Sequence, residues 1–269
     1  TLDPMATGLL VLLIGKATKI SDYILNGNKS YQTRVQLGVV TDTDDITGTV
    51  LKEDDNFHVS DHDLNQALTQ LTGNLKLPVP IYSAVKVKGK KLYEKARKGE
   101  DFQPPIKEMS FNGLELIERN DKSVEVAFEC SKGSYVRAWG KRLGEILGCG
   151  GTLSELRRTH SSPYSVEQAI LPESAQKLSA DEIYNQESFI PLAQTLPDWP
   201  AIKVEGKDSK LLQNGQISRK LERFLELEYG PRKGLQGIKV LSKGSGRLIC
   251  LLSVQGPLSF KIRRVFPNQ

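Results

Sequence analysis

The 269-residue chain is poor in cysteine and histidine. Its three cysteines, Cys130, Cys149 and Cys250, are widely spaced. Neither a disulfide framework nor a zinc site follows from them, and a reducing cytoplasm fits best. His58, His62 and His160 are too scattered to nominate a metal centre, so none is expected. Long apolar runs are also missing. The longest, Leu9 to Ile14, is far short of the roughly 20 residues that a membrane-spanning helix needs, and no membrane partner is expected. No signal peptide, internal repeat or low-complexity segment is evident. Strands mixed with single helices, without a regular βαβ series, point to an α+β fold.

What is present is basic charge, unevenly placed. The net charge is only +5, but from Lys76 to Lys107 nine Lys/Arg face three Asp/Glu, and from Ser131 to Arg158 six face two. Between Thr41 and Asp63 the balance reverses, with eight acidic residues and one Lys. Such polarity suits a polyanion binder, although solvated helix faces give the same count.

The opening run, Thr1-Leu2-Asp3-Pro4-Met5-Ala6-Thr7-Gly8, sets one carboxylate in a constrained backbone. Pro4 pushes Asp3 toward extended geometry, and Gly8 permits a tight bend or the close approach of another chain. Leu9 to Ile14 lacks polar alternation and is expected to be a strand buried on both faces. A carboxylate beside such a strand is costly without a cation or a task. Taken alone, an Asp before a Pro is more often a turn or cap residue.

Alternation predicts strands over Ser30 to Leu37 and Val124 to Cys130. Thr41 to Gly48 reads as a polar turn between strands. Ser60 and Asp63 open a helix through Leu64, Leu68 and Leu71 that Gly73 ends. Lys88 to Lys91 forms a turn into a short basic helix. A further helix runs from about Ala138 to Gly148. A break falls near Pro191 to Pro200, and the glycine-punctuated segments beyond it have the texture of a small β-barrel-like module.

Three features support a task for Asp3. Tyr135 and Arg137, two apart on an expected strand, would present an aromatic ring and a cation on one face. Tyr31 is a second exposed-looking aromatic. Tyr82 to Tyr93 mixes aromatic, hydroxyl and cationic groups, a mixture suited to single-stranded nucleic acid. Two other chemistries are weaker. Thr1 as an N-terminal nucleophile has no downstream support. Asp42, Asp44 and Asp45 lack a calcium-loop spacing, and a polar turn accounts for them better.

Five ordered blocks over about the first 165 residues together resemble the TruB family of tRNA pseudouridine synthases. They are Thr1 to Gly8; Tyr31 with Leu37-Gly38 and Thr41 to Gly48; Tyr82 to Lys86 with Gly89-Lys90-Lys91-Leu92-Tyr93; Cys130 to Arg137 leading to Leu143-Gly144-Glu145 and Leu147 to Gly150; and Leu156-Arg157-Arg158. The resemblance implies a mixed, mostly antiparallel sheet flanked by helices as a catalytic domain over residues 1–195. It also implies a small PUA-like β domain for RNA binding over 196–269. It places Asp3 at the catalytic aspartate, Tyr31 at the tyrosine that stacks on the base, and Arg137 at the arginine paired with the aspartate. Tyr135 and Leu156 fall at substrate-pocket positions. The implied activity is isomerisation of the T-loop uridine (position 55) of tRNA, in the cytoplasm, by a monomer without cofactor or metal. The rival is a non-catalytic RNA-binding or tRNA-folding protein on the same scaffold. Family members also carry a Lys-Pro-x-Gly-type strand and a histidine ahead of the aspartate. Neither is present, so an N-terminally truncated chain is expected.

These residue types suit the reaction. The N1–C1′ bond breaks, the uracil turns and rejoins through C5, and the C5 proton leaves to Tyr31 or water. The uridine must first leave its stack, and a tyrosine face recovers roughly 1–3 kcal/mol of that cost. Burial raises a carboxyl pKa, and a paired arginine opposes the rise. Lys86, Lys88, Lys90, Lys91, Arg97, Lys132, Arg157 and Arg158 are the candidate phosphate contacts, supplying affinity and register.

Overall fold

A computed structural model describes residues 2–87, 89–97, 102–230, 234–256 and 259–267. The chain divides into two compact units, Thr1–Val11 with Ile24–Glu167, and Leu12–Tyr23 with Gln168–Gln269. This division differs from a cut at residue 195. Residues 168–195 and the excursion Leu12–Tyr23 fall with the C-terminal unit.

The first unit begins with β1 (Thr7–Gly8), β2 (Lys29–Leu37), β3 (Val39–Thr41) and β4 (Val50–Glu53), and α1 (Ser21–Leu25) spans the point where the chain passes from the second unit into the first. There follow α2 (Asp61–Gln70), β5 (Gly73–Pro78), β6 (Lys86–Val87), β7 (Lys90–Lys91) and α3 (Leu92–Arg97). β8 (Ile106–Arg119), β9 (Ser123–Cys130), α4 (Val136–Ile146), β10 (Gly151–Ser161) and β11 (Tyr164–Ser165) complete it. The main sheet runs β1-β10-β2-β9-β8-β5, with β11 on β10. Among the described residues of this sheet, only the β1–β10 strand pairing is parallel.

Side-chain period explains the layers. Thr33, Val35 and Leu37 of β2 are buried, as are Val124, Val126, Phe128 and Cys130 of β9. Ser60 caps α2, its Oγ accepting from the Asp63 amide at 3.1 Å, and Leu64, Leu68 and Leu71 enter the core. Trp139 of α4 is fully buried against Phe111 and Phe128, and its Nε1 donates to the Leu71 carbonyl at 3.1 Å. α4 sits tightly on β10. A Cβ added at Gly144 would lie 2.1 Å from the Gly150 carbonyl carbon and the Gly151 nitrogen.

Two strand expectations fail. Leu9 to Ile14 forms no strand: only Thr7 and Gly8 pair with β10, and Leu10, Leu12 and Ile14 are exposed. Gly8, at φ +94°, turns the chain where a Cβ would strike the Arg158 carbonyl, and the residues beyond have no ladder partner among the described residues. Tyr135 and Arg137 do not share a strand either. Tyr135 is the N-cap residue of α4 and Arg137 lies in its first turn.

The second unit contains α5 (Pro172–Ala175), α6 (Ala180–Tyr184), β12 (Ala201–Val204), α7 (Gly206–Gln213), α8 (Arg219–Tyr229), β13 (Gly237–Ser242), β14 (Leu248–Gly256) and β15 (Ser259–Val265). Its sheet runs β12-β13-β14-β15, and among the described residues no pairing closes it into a barrel. Leu212, Leu221 and Leu225 from α7 and α8 bury against Ile238, Val240, Cys250 and Leu252. The module is therefore built from helices as well as strands.

Candidate active site

Asp3 lies just before β1, where the loop closes with the Ala6 amide donating to the Asp3 carbonyl at 2.9 Å. β1 then anchors to β10, and the Leu9 amide donates to the Arg158 carbonyl at 2.8 Å. Gly8 is required there: its Cβ would fall 2.2 Å from that same oxygen. The Asp3 carboxylate thus hangs from the sheet beside the first turn of α4.

Arg137 meets it. The guanidinium Nε is 2.9 Å from Asp3 Oδ2, and Nη2 donates to Oδ1 at 3.4 Å. Arg137's side chain is 7 % exposed, Asp3's 36 %. The remaining guanidinium positions are also taken. Nη1 donates to the Thr43 carbonyl at 3.0 Å and approaches Asp45 Oδ2 at 3.6 Å, while Nη2 donates to the Tyr82 carbonyl at 3.1 Å. Three hydrogen bonds and ion-pair contacts to two carboxylates hold one arginine, an arrangement that the planar fork permits and an ammonium does not.

The turn between β3 and β4 supplies part of that cage. Asp45 is buried, and its Oδ1 accepts from Thr43 Oγ1, the Thr47 amide and Thr47 Oγ1. Asp44, at φ 62°, pairs with Lys141 Nζ at 3.0 Å. Burial pushes Asp44's carboxyl above the ordinary carboxylate range, and Lys141 and Arg137 oppose that rise. Asp42 accepts from Tyr82 Oη at 3.3 Å and from the Thr49 amide at 2.7 Å. Each carboxylate of the turn is committed within the protein. Among the described residues no group of three or more His, Cys, Asp or Glu could hold a metal ion.

Two tyrosines flank the pair. Tyr31 on β2 lies across from Arg158 of β10. Burial raises its phenol pKa, Arg158 opposes the rise, and Asp3's charge adds to it. Tyr135 also has a raised phenol pKa, chiefly from burial, with the Ser83 hydroxyl and Arg137 opposing. Leu156 is buried opposite Thr33, in the core that Met5, Ala6 and Tyr31 pack against. Asp3, Tyr31, Tyr135 and Arg137 therefore converge, with Leu156 on the neighbouring strand β10.

The basic residues separate. Lys86, Lys132 and Arg157 are exposed, Lys132 donating to Asn26 Oδ1 at 2.9 Å. Arg158 departs from the expectation of a phosphate contact. It is buried, and its Nε donates to the Leu9 carbonyl at 2.8 Å. Lys88 lies outside the described residues, as do the side chains of Lys90, Lys91 and Arg97. Sequence reasoning missed Asp45 as a partner of Arg137, because short polar residues in a turn read as solvated. It also missed Lys107, whose Nζ donates to the Gly133 carbonyl at 2.8 Å and lies 5.9 Å from the Tyr135 ring centroid.

A one-third-exposed carboxylate gripped by a buried arginine, with two tyrosines nearby on a strand and a helix cap, fits the enzymes that rearrange a nucleobase on an aspartate. Comparison with known proteins gives the family. Residues 1–136 match the TruB family pseudouridylate synthase (N terminal domain). The chain is 41 % identical over 266 residues to a tRNA pseudouridine synthase B of Bdellovibrio bacteriovorus, covering 99 % of this chain and 86 % of that protein. It is 39 % identical over 217 residues to the Aromatoleum aromaticum protein of the same name, covering 81 % and 70 %. A Cbf5-Nop10-Gar1 complex shares the fold at TM-score 0.65 and 17 % identity, over 99 % of this chain and 75 % of that one. The chain belongs to the TruB family of pseudouridylate synthases.

Proposed function

We propose that this chain isomerises the T-loop uridine (position 55) of tRNA to pseudouridine with Asp3 as the catalytic carboxylate. The observation that carries this reading is the two-point contact of Arg137 on Asp3 at 2.9 and 3.4 Å, with Tyr31 and Tyr135 close enough to feel Asp3's charge. Arg137 orients the carboxylate that attacks as nucleophile or base. Tyr31's ring stacks on a uracil turned out of the RNA. Tyr135 and Leu156 complete the pocket. The relatives' name, tRNA pseudouridine synthase B, supports tRNA as the substrate.

Exposed Lys86, Lys132 and Arg157 hold RNA phosphates in this reading. Thr1–Val11 with Ile24–Glu167 form the catalytic unit, and the C-terminal unit carries a PUA-like module that adds RNA affinity. The enzyme works as a monomer in the cytoplasm. No helix among the described residues is long and apolar enough to cross a membrane.

The test is to incubate the chain with a T-arm RNA and map pseudouridine by carbodiimide adducts and primer extension. Product at the single T-loop uridine is expected. Tight RNA binding without product would favour the non-catalytic RNA-binding reading instead.

A further inference from the structure

α4 carries a second cation one turn after Arg137. Arg137 and Lys141, at i and i+4, face the same turn between β3 and β4. That turn presents two consecutive buried carboxylates, and the left-handed backbone at Asp44 lets them reach different cations. Asp44 Oδ1 meets Lys141 Nζ at 3.0 Å, and Asp45 Oδ2 meets Arg137 Nη1 at 3.6 Å. The turn cannot easily swing away. The Leu153 amide donates to the Asp44 carbonyl at 3.1 Å, and the Ile46 amide donates to the Leu153 carbonyl at 2.9 Å.

We propose that Lys141 is a positioning residue of the site, neutralising Asp44 so that Arg137 stays on Asp3 and Asp45. Three carboxylates share two cations here. The charged groups acting on Asp44 are Lys141 and Arg137 from α4 and Asp45 from its own turn, while β10 contributes only backbone at Leu153. Without Lys141, Arg137 is the remaining cation for a buried Asp44. Asp3 would lose that competition, because its carboxylate is the most solvated of the three. The inference rests on the reading that Asp3 performs the chemistry.

The sign of the pH effect follows. In Lys141→Gln, Asp44 competes for Arg137 only when ionised. The defect therefore grows as pH rises through Asp44's elevated pKa and shrinks below it. Lys141's side chain is 39 % exposed, so glutamine is accommodated. In the intact chain, kcat should fall about tenfold or more near about pH 8, with KM changed less than about threefold. Asp44→Asn tolerates the left-handed backbone. It should leave turnover within about threefold of wild type, alone or combined with Lys141→Gln. An Arg137 Nε–Hε resonance in 15N-labelled protein should move in Lys141→Gln and return in the double variant, a readout independent of turnover.

A pH-independent defect that Asp44→Asn does not rescue would overturn the proposal. So would a damaging Asp44→Asn, or an Arg137 resonance unmoved by Lys141→Gln. Wild-type protein that makes no pseudouridine would instead remove the Asp3 reading, and the resonance would still decide whether Lys141 positions Arg137.

Discussion

Two segments bring carboxylates to the same guanidinium under opposite conditions. The opening run reaches Arg137 from a short loop tied to the sheet by a two-residue strand, and Asp3's carboxylate is about one-third exposed. The turn between β3 and β4 reaches it from inside. Asp45 is buried, accepts three hydrogen bonds and sits on a backbone pinned to β10. One partner is fixed by the fold; the other is open to a ligand. A buried arginine between them keeps its orientation whether or not the outer carboxylate is occupied, so the site is organised before RNA arrives.

That contrast has measurable consequences. The largest effect on stability should come from Asp45→Ala, which leaves a buried guanidinium short of one carboxylate. Urea unfolding should show a loss of about 3 kcal/mol, whereas Asp3→Ala should cost less than about 1 kcal/mol. Equal losses would erase the distinction between the segments. Arg137→Lys keeps the charge but cannot satisfy two carboxylates and two carbonyls at once. Single-turnover pseudouridine formation should slow about a hundredfold while the melting curve moves little. A variant with near-normal turnover would remove Arg137's geometry from the mechanism. The smallest effect should come from Thr47→Val, which deletes one donor to Asp45. About 1 kcal/mol of stability is expected to go, with a turnover change smaller than that of Arg137→Lys. Thermal unfolding and kcat measured on the same samples would show whether the inner segment acts through packing alone.

Much of this organisation was legible in the residue order. Alternation in Ser30 to Leu37 and Val124 to Cys130, and the Ser60 cap with its leucine spacing, mark elements that the structure contains. Asp3, Tyr31, Tyr135 and Arg137 stand together because the resemblance pointed to them; periodicity alone set Tyr135 and Arg137 on a strand. The failures have physical causes. Leu9 to Ile14 is apolar enough for a central strand, but after Gly8 the chain turns away and most of the run is not buried. Arg158 carries the charge of a phosphate contact, yet its register opposite Tyr31 turns it inward. Glycines between Gly206 and Gly230 read as β-module punctuation, but the residues between them have the leucine spacing of α7 and α8. Asp44 and Asp45 were invisible as ion-pair partners, because their cations lie nearly a hundred residues away on α4.

The most direct measurement is release of hydrogen from C5 of a single labelled uridine in T-arm RNA, comparing wild type with Asp3→Asn while RNA affinity is measured in parallel. Wild type should release the label. Asp3→Asn should release none yet bind the RNA with similar affinity, since asparagine can still meet Arg137 but cannot act as the ionised carboxylate. Continued release by Asp3→Asn would contradict the assignment of the chemistry to this carboxylate.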